Sequence, residues 1–441
     1  MIPSRYTQFE TPPSILLLAP YCDPDDVGEA YCAFHWVKAI ASRSNVTLLT
    51  MTRPGNRIHE ALPNVQVQSI DEPPIYRRHE RLNAMAKLSY PTFYRWAKKV
   101  IGQKLKAGDL FDLAHQLSPF SMRHLSPLRH FDIPYVLGPM AGGLPTPNGF
   151  KSECQGEAWY MKLRGIDPIR RRIDPALRDS FKKASLILGA APYVQDLLAG
   201  MPIKAFASIS ELGMDRLPTP INERRRRSHK PTVDQPLRLL HVGRGIRTKG
   251  LADVLAAFEK IPDTLHVHLD IAGKGPEIDK AADSILEKGL MDRVTLHGQI
   301  PRSHVEQLYA AADVFCFPSF REPSGSVVFE ALSHGMPVIT ADAGGPAHVI
   351  DASCGLKVPV TTPDDMAKHI AGAIETLYHQ PNLREYLSLG AVSRMRKLAL
   401  WPNKMDQLFD FYTSLLPQKS RQLDGSAYQI MQHAQAQGGT Q

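Results

Sequence analysis

The sequence predicts an α/β protein made of two domains, each with a parallel sheet and crossover helices. Its 441 residues exceed what one hydrophobic core usually organises. Short apolar runs alternate with helix-like segments in the first half, and this alternation restarts at Leu237. Between the halves, several prolines and four arginines at positions 224–227 interrupt every periodic pattern. We therefore expect a linker there.

The apolar runs give the predicted strands in order. In the first half these are residues 14–19, 46–50, 110–114, 135–137 and 186–189, with a helix ending near Ser42 and another at 191–198. In the second half they are residues 237–242, 267–272, 294–296, 314–318 and 337–340. Ligands of such sheets bind at the carboxyl ends of the strands.

These elements predict five segments of chain. Residues 1–215 form an N-terminal Rossmann-like domain on the acceptor side, 216–236 the linker, and 237–400 a second Rossmann-like domain that binds the nucleotide. Residues 401–417 form a last helix that can pack back on the first domain. The glutamine-rich segment 418–441 has too little apolar content to pack, so we expect it to be disordered.

Composition excludes several classes of protein. A hydrophobic content of 43% and a charged content of 22% are ordinary for globular proteins, which argues against disordered, collagen-like or coiled-coil chains. The apolar run at 15–19 is too short to span a bilayer. The five cysteines are scattered, without a C-x-x-C pair. We therefore expect a cytoplasmic protein that is neither secreted nor transmembrane.

The charge predicts an anionic partner. A net charge of +8 suits a nucleotide, a nucleic acid or an acidic membrane surface. Residues 90–106 form a basic, amphipathic segment that suits the inner face of a membrane, although a core-packed helix with snorkelling lysines is the alternative. Without a recognisable nucleic-acid module, we expect no nucleic acid.

The first candidate site is a basic, glycine-containing loop after residues 237–242. Gly243 allows close approach of a ligand, and a helix starting near Lys249 or Gly250 offers free N–H groups to an anion. Arg244 and Lys249 add positive charge, so a diphosphate is the natural guest. The alternative is an ordinary solvated basic loop. A second glycine turn, with Gly273 and Gly275, supports another wall of the same crevice.

The most informative segment is residues 317–332. Glu322 lies in a loop after a buried strand, and Ser324 is the predicted N-cap of a helix that carries Glu330. Gly325 and the free N–H groups of the helix start suit sugar or phosphate oxygens. Glu330 lies among apolar residues, so we expect a ligand hydroxyl or a neighbouring base to meet it. Solvent-exposed acids are the alternative for Glu322 and Glu330.

The order and spacing of these elements resemble the nucleotide-binding domain of glycosyltransferase family 4. The resemblance covers about 120 residues and includes the glycine loops at 243–250 and 273–276, Glu322 and Glu330 eight positions apart, and Gly344-Gly345. It implies a GT-B fold and retaining transfer of a hexose from a UDP- or GDP-linked sugar, without a cofactor or metal. By resemblance, Arg244 and Lys249 hold the diphosphate and stabilise the leaving group, Glu330 binds the ribose, and Glu322 the donor sugar.

The first half resembles the family less closely. Gly28 stands in the loop after the first strand, where relatives place a glycine pair near the phosphates. By resemblance, His115 lies close to the reacting centre or the acceptor, and a core histidine is the alternative. Asp23, Asp25 and Asp26 resemble a metal-binding pattern, but GT-B enzymes neutralise the diphosphate with basic residues, so we expect a solvated loop.

The acceptor is less constrained than the donor. If the membrane hypothesis holds, it is a saccharide or lipid-linked saccharide in cell-surface polysaccharide assembly. Two other functions stay open: a sugar-nucleotide epimerase or hydrolase on the same fold, and a non-enzymatic protein that binds acidic surfaces through the arginines at 170–172 and 224–227.

Overall fold

The computed structural model describes residues 11–78, 83, 87–154, 166–218 and 229–416. The arginines at 224–227 and the tail at 418–441 lie outside the described residues, and so does the prediction of a disordered tail. By spatial contacts the chain forms two compact units, one of residues 1–117, 126–136 and 405–441, the other of residues 118–125 and 137–404. The predicted domain boundaries at 215 and 237 stay predictions.

The first sheet has seven strands in the order β3-β2-β1-β4-β5-β6-β7. Its strands are β1 (Ser14–Tyr21), β2 (Asn45–Thr52), β3 (Gln66–Asp71), β4 (Leu113–Gln116), β5 (Tyr135–Met140), β6 (Leu186–Gly189) and β7 (Phe206–Ser208). β1 pairs in parallel with β2 and with β4. Six of its eight residues are buried, as expected for a central strand covered on both faces.

The second sheet has six strands in the order β10-β9-β8-β11-β12-β13. They are β8 (Leu237–Val242), β9 (Val267–Ala272), β10 (Val294–Gly298), β11 (Val314–Phe317), β12 (Val338–Ala341) and β13 (Gly355–Val358). Their pairings are parallel. The prediction of two parallel sheets with crossover helices is confirmed.

Three strands were not predicted from the sequence, and β4 begins three residues later in the chain than predicted. β3 and β7 are edge strands of the first sheet, and their residues are only partly buried, so neither forms an apolar run. β13 is an edge strand too, and only its first and last residues are buried. Edge strands lack the continuous apolar signal of central ones.

The helices of the first half begin with α1 (Glu29–Ala41), which joins β1 to β2. The others are α2 (Ile58–Ala61), α3 (Pro74–Arg78), α4 (Tyr90–Lys106), α5 (Asp167–Ile173), α6 (Pro175–Lys183) and α7 (Tyr193–Leu197). In α4 the residues Tyr90, Phe93, Ala97 and Ile101 are buried. This burial favours the core-packed alternative for the basic segment 90–106.

The helices of the second half lie between the strands of the second sheet along the chain and after its last strand. They are α8 (Leu251–Phe258), α9 (Pro276–Glu287), α10 (Arg302–Ala311), α11 (Ser326–Ser333), α12 (Gly344–Val349), α13 (Pro363–His379), α14 (Pro381–Leu398) and α15 (Trp401–Leu415). Among the helices of the described ranges, none is both long and apolar enough to cross a bilayer.

One residue from the first half of the chain belongs to the core of the second sheet. Phe150 ends a 3₁₀ turn at Asn148–Phe150 and is fully buried among side chains of β8, β9, α8 and α13. Its ring lies 4.3 Å from that of Phe320. The backbone at the neighbouring Gly149 packs directly against the backbone of Thr361. A Cβ added to Gly149 would lie 1.9 Å from the carbonyl oxygen of Thr361.

Candidate functional site

The two glycine turns predicted after β8 and β9 contact each other directly. The N–H of Gly243 donates to the carbonyl of Ala272 at 3.1 Å, and that of Gly245 to Lys274 at 2.8 Å. A Cβ added to Gly273 would lie 1.9 Å from the carbonyl oxygen of Gly243. Glycine is therefore required here because two backbones pack against each other. The two turns lie side by side, and their place as walls of one ligand crevice stays a prediction.

Lys249 is a buried cation at the start of α8. It ends a 3₁₀ turn, and Gly250 follows as the N-cap of α8 with φ of 81°. Its side chain is 7% exposed, and its Nζ donates to Oε2 of Glu322 in a short ion pair. The ammonium also lies 5.9 Å from the ring centre of Phe317. The alternative of a solvated basic loop is therefore wrong for Lys249, whereas Arg244 is exposed to solvent.

Glu322 holds both Lys249 and the start of α11. Its Oε1 accepts the backbone N–H groups of Ser324 at 3.3 Å and Gly325 at 3.2 Å. A carboxylate at this place stabilises the helix N-terminus, where N–H groups lack intrahelical partners. The Glu322 carboxylate is thus mostly buried, with 16% of its side chain exposed.

The prediction that Ser324 is the N-cap of α11 is wrong. The N-cap is Gly325, with a left-handed φ of 83° and no side-chain cap bond. Glycine adopts this conformation without a Cβ penalty, and Glu322 already accepts the nearby N–H groups. The hydroxyl of Ser324 instead makes a short hydrogen bond with the carboxylate of Glu211.

Glu330 on α11 meets a base, as the sequence predicted. Its Oε1 lies 2.9 Å from a guanidinium nitrogen of Arg302, and 24% of its side chain is exposed. Burial and the Glu330 carboxylate raise the pKa of Tyr309 well above its ordinary value. Tyr309 therefore stays protonated beside this acid. Glu330 is paired and partly exposed, so it is reachable from solvent.

Comparison with known proteins finds a similarity in this part of the chain. Residues 222–391 match the sequence model of the glycosyl transferases group 1. We call this matched segment the group 1 region. It contains Gly243, Arg244, Lys249, Glu322 and Glu330, which are the residues of the donor-side prediction.

Curated relatives match parts of the chain. The lipopolysaccharide core biosynthesis glycosyltransferase LpsD of Rhizobium meliloti is 31% identical over 217 residues, 47% of this chain and 61% of the relative. The lipopolysaccharide glucosyltransferase WaaG of Escherichia coli is 34% identical over 118 residues, 26% of this chain and 31% of the relative. The chain therefore covers less than two thirds of these relatives.

Solved structures share the fold over nearly the whole chain. Sucrose-phosphate synthase from Thermosynechococcus elongatus has a TM-score of 0.61 at 22% identity, covering 91% of this chain and 99% of that one. Anabaena Alr3699/HepE in complex with UDP has a TM-score of 0.56 at 18% identity, covering 91% and 100%. The predicted GT-B fold is confirmed.

Two residues that hold the group 1 region together were not singled out from sequence. Arg247 pairs with Asp253 at 2.5 Å, and its guanidinium lies 5.4 Å and 5.2 Å from the ring centres of Phe150 and Phe320. Glu211 is the second, because it binds Ser324. The contacts of Arg247 with the two rings and of Glu211 with Ser324 join residues far apart in sequence, and no local pattern reveals them.

The first-half candidates have different surroundings from those of the group 1 region. Gly28 is the N-cap of α1 with φ of 64°, and no atom lies within 4 Å of a Cβ added there. His115 on β4 is fully buried, and its Nδ1 lies 2.6 Å from the hydroxyl of Tyr412. This burial favours the core-histidine alternative over a place at the reacting centre.

The acidic loop after β1 binds protein groups. Asp23 accepts from Asn56 at 2.7 Å, and Asp25 forms a two-bond ion pair with Arg57 at 2.8 and 2.9 Å. Throughout the described ranges, no three or more His, Cys, Asp or Glu side chains group as a metal site would need. The expectation that the enzyme needs no metal stays a prediction.

Proposed function

We propose that the protein is a retaining glycosyltransferase of family 4 that transfers a hexose from a UDP- or GDP-linked sugar to an acceptor hydroxyl. The observation that carries this proposal is the buried pair of Lys249 and Glu322 beside the glycine turns of β8 and β9. One cation and one acid thus stand where a phosphate and a sugar hydroxyl of the same donor are expected.

The cations act on the diphosphate. Breaking the anomeric C–O bond places negative charge on the departing diphosphate, and Lys249 and Arg244 stabilise that charge more in the transition state than in the ground state. Lys249 is 6% exposed, and a Coulomb interaction is stronger in such a site than in water. Arg244 is exposed and free to close over the phosphates from solvent.

The acids act on the hydroxyl groups of the donor. Glu322 is held by two backbone N–H groups and Lys249, so its carboxylate is oriented before the sugar arrives. Glu330 is expected to bind the ribose, and its partner Arg302 is exposed enough to move aside. Ser324 and Gly325 complete the loop against the sugar. In a front-side reaction the leaving phosphate takes the acceptor proton.

We propose a saccharide or lipid-linked saccharide of cell-surface polysaccharide as the acceptor. The support is the relatives: LpsD is named for lipopolysaccharide core biosynthesis, and WaaG is named a lipopolysaccharide glucosyltransferase. Such an acceptor places the protein in the cytoplasm, at the inner face of the membrane. The charge of +8 favours contact with anionic lipid there.

A binding experiment tests the donor site. UDP-glucose, GDP-mannose and ADP-glucose are titrated into the wild type and into Lys249→Met by calorimetry. We expect one of these donors to bind the wild type and Lys249→Met to bind it at least ten times more weakly. Lys274→Met is the matched control, because Lys274 is an exposed lysine in the neighbouring glycine turn. The proposal fails if no donor binds, or if both lysine variants bind like the wild type.

A further inference from the structure

Glu211 is a buried acid that contacts the loop around Glu322, although the two lie far apart in the sequence. It follows β7, is 4% exposed, and accepts at its Oε1 a short hydrogen bond from the hydroxyl of Ser324, 113 residues later. Ser324 lies between Glu322 and the N-cap Gly325 of α11. The contact therefore reaches the loop that carries Glu322.

The segment around Glu211 is anchored by the end of α14 and the start of α15. Met214 donates its N–H to the carbonyl of Ala399 at 2.9 Å and accepts the N–H of Trp401 at 3.2 Å. A Cβ added to Gly213 would lie 2.6 Å from the Trp401 ring. Such close backbone and side-chain packing makes the segment a rigid support.

A buried lysine accompanies the buried acid. Lys404 on α15 is 2% exposed, and its Nζ donates to the carbonyl of Ser210 at 2.7 Å. Burial lowers the pKa of Lys404 to about 7, while the charge of Glu211 acts in the opposite direction. Burial raises the pKa of Glu211, and the Ser324 hydroxyl and Lys404 oppose that shift. Each of these two buried groups therefore favours the charged form of the other.

We propose that Glu211 is a positioning residue for the donor sugar: it holds Ser324, and through Ser324 it sets the place of the Glu322 carboxylate. The inference rests on the function proposed above. It adds a residue outside the group 1 region, which begins at position 222.

The geometry of the loop explains how this effect is transmitted. Glu322 accepts the N–H groups of Ser324 and Gly325, so a shift of Ser324 moves the groups that orient the carboxylate. Lys249 is also fixed by the 3₁₀ turn before α8, and the glycine turns after β8 and β9 hold each other through backbone hydrogen bonds, so the groups proposed to face the diphosphate depend less on the Ser324 hydroxyl than Glu322 does. Losing the Glu211–Ser324 bond should therefore weaken binding of the sugar more than binding of the diphosphate.

The test compares a sugar nucleotide with its own nucleoside diphosphate. The affinities of UDP-glucose and UDP, or of GDP-mannose and GDP if the wild type selects guanine, are measured for Glu211→Ala, Ser324→Ala and the double variant. We expect each variant to bind the sugar nucleotide about ten times more weakly and the diphosphate within twofold of the wild type. The double variant should be no weaker than either single variant, because both changes break the same bond.

Conservative and control variants separate positioning from general damage. Glu211→Gln keeps an acceptor oxygen and Ser324→Thr keeps a hydroxyl, so we expect both to restore most of the sugar-nucleotide affinity. Ser326→Ala removes an exposed hydroxyl two residues further on and should bind both ligands like the wild type. If Glu211→Ala does not fold, Ser324→Ala and Glu211→Gln decide the result.

The outcomes distinguish the inference from the proposed function. If the wild type binds neither ligand, the proposed function fails. If the wild type binds both, the positioning role is refuted when Ser324→Ala and Glu211→Ala keep the wild-type affinity for the sugar nucleotide. It is also refuted when they lose both ligands equally, or when the two losses add in the double variant.

Discussion

In each sheet a glycine with a positive φ caps the helix that follows the first strand, and the surroundings of these two glycines differ. Gly28 caps α1 after β1, and Gly250 caps α8 after β8, with φ of 64° and 81°. The place of Gly28 is open, whereas a Cβ on Gly250 would lie 2.4 Å from the carbonyl oxygen of Pro318. The β8 loop is therefore packed tightly around the buried Lys249, and the β1 loop is open to solvent on that side.

This difference shows where the sequence carries a functional signal. In the second half, close packing requires glycine at positions where a cation is also needed, so both appear together in one motif. In the first half, a positive φ also requires a glycine but no particular neighbours. The sequence of the group 1 region thus allows predictions residue by residue, and the sequence of the first half does not.

The largest expected effect comes from adding the same methyl group to both caps. Gly28→Ala should cost about 1 kcal/mol of unfolding free energy, because alanine is strained at a left-handed φ. Gly250→Ala also places an alanine at a positive φ, and its Cβ clashes with Pro318 as well, so we expect a loss of about 3 kcal/mol. Urea denaturation of both variants measures the difference. Equal losses would contradict the contrast between the two loops.

His241 on β8 predicts a pH effect in the second sheet. Burial lowers its pKa to about 4, below its ordinary value of 6.5, and its Nδ1 lies 2.9 Å from the carbonyl of Cys316. The folded state binds this proton less well than the unfolded state, so the contribution of His241 is complete above pH 6.5 and is lost as the pH falls towards 4. At pH 5 the loss should be about 2 kcal/mol.

The measurement compares the wild type with His241→Gln, which cannot titrate. Both are unfolded with urea at pH 7.5 and pH 5, and the wild type should lose about 2 kcal/mol more than the variant between these values. Other histidines titrate equally in both proteins and cancel. An equal loss in the two proteins would show that His241 is not responsible.

The smallest expected effect concerns the buried histidine of the first sheet. Tyr412→Phe removes the hydroxyl that contacts His115, and should cost about 1 kcal/mol of stability. We expect the rate of nucleoside diphosphate release from the donor to stay within twofold. Tyr94→Phe is the control, because its hydroxyl contacts the ring of His130 at 2.9 Å in a more exposed pair. A tenfold fall in rate for Tyr412→Phe alone would contradict this expectation and would support a place for His115 close to the reacting centre.

The features that could be predicted from the sequence are those whose causes are local. The glycine turns and the need of Glu330 for a base follow from charge and backbone demands within a few residues. The cap of α11 was assigned to Ser324 because serine is a common N-cap, but Glu322 and Gly325 satisfy the helix start instead. Phe150, Arg247 and Glu211 act across distances that no periodic pattern encodes.

The position of Phe150 has a consequence for building hybrid enzymes from this chain. A cut at residues 216–236 leaves Phe150 on the first fragment, although its ring fills the core under β8 and supports Arg247. A donor module grafted from that cut onto another acceptor module would inherit a hole the size of a phenyl ring. Hybrids that carry residues 147–154 along with the second sheet should keep their solubility and melting temperature, whereas those divided only at the linker should lose both.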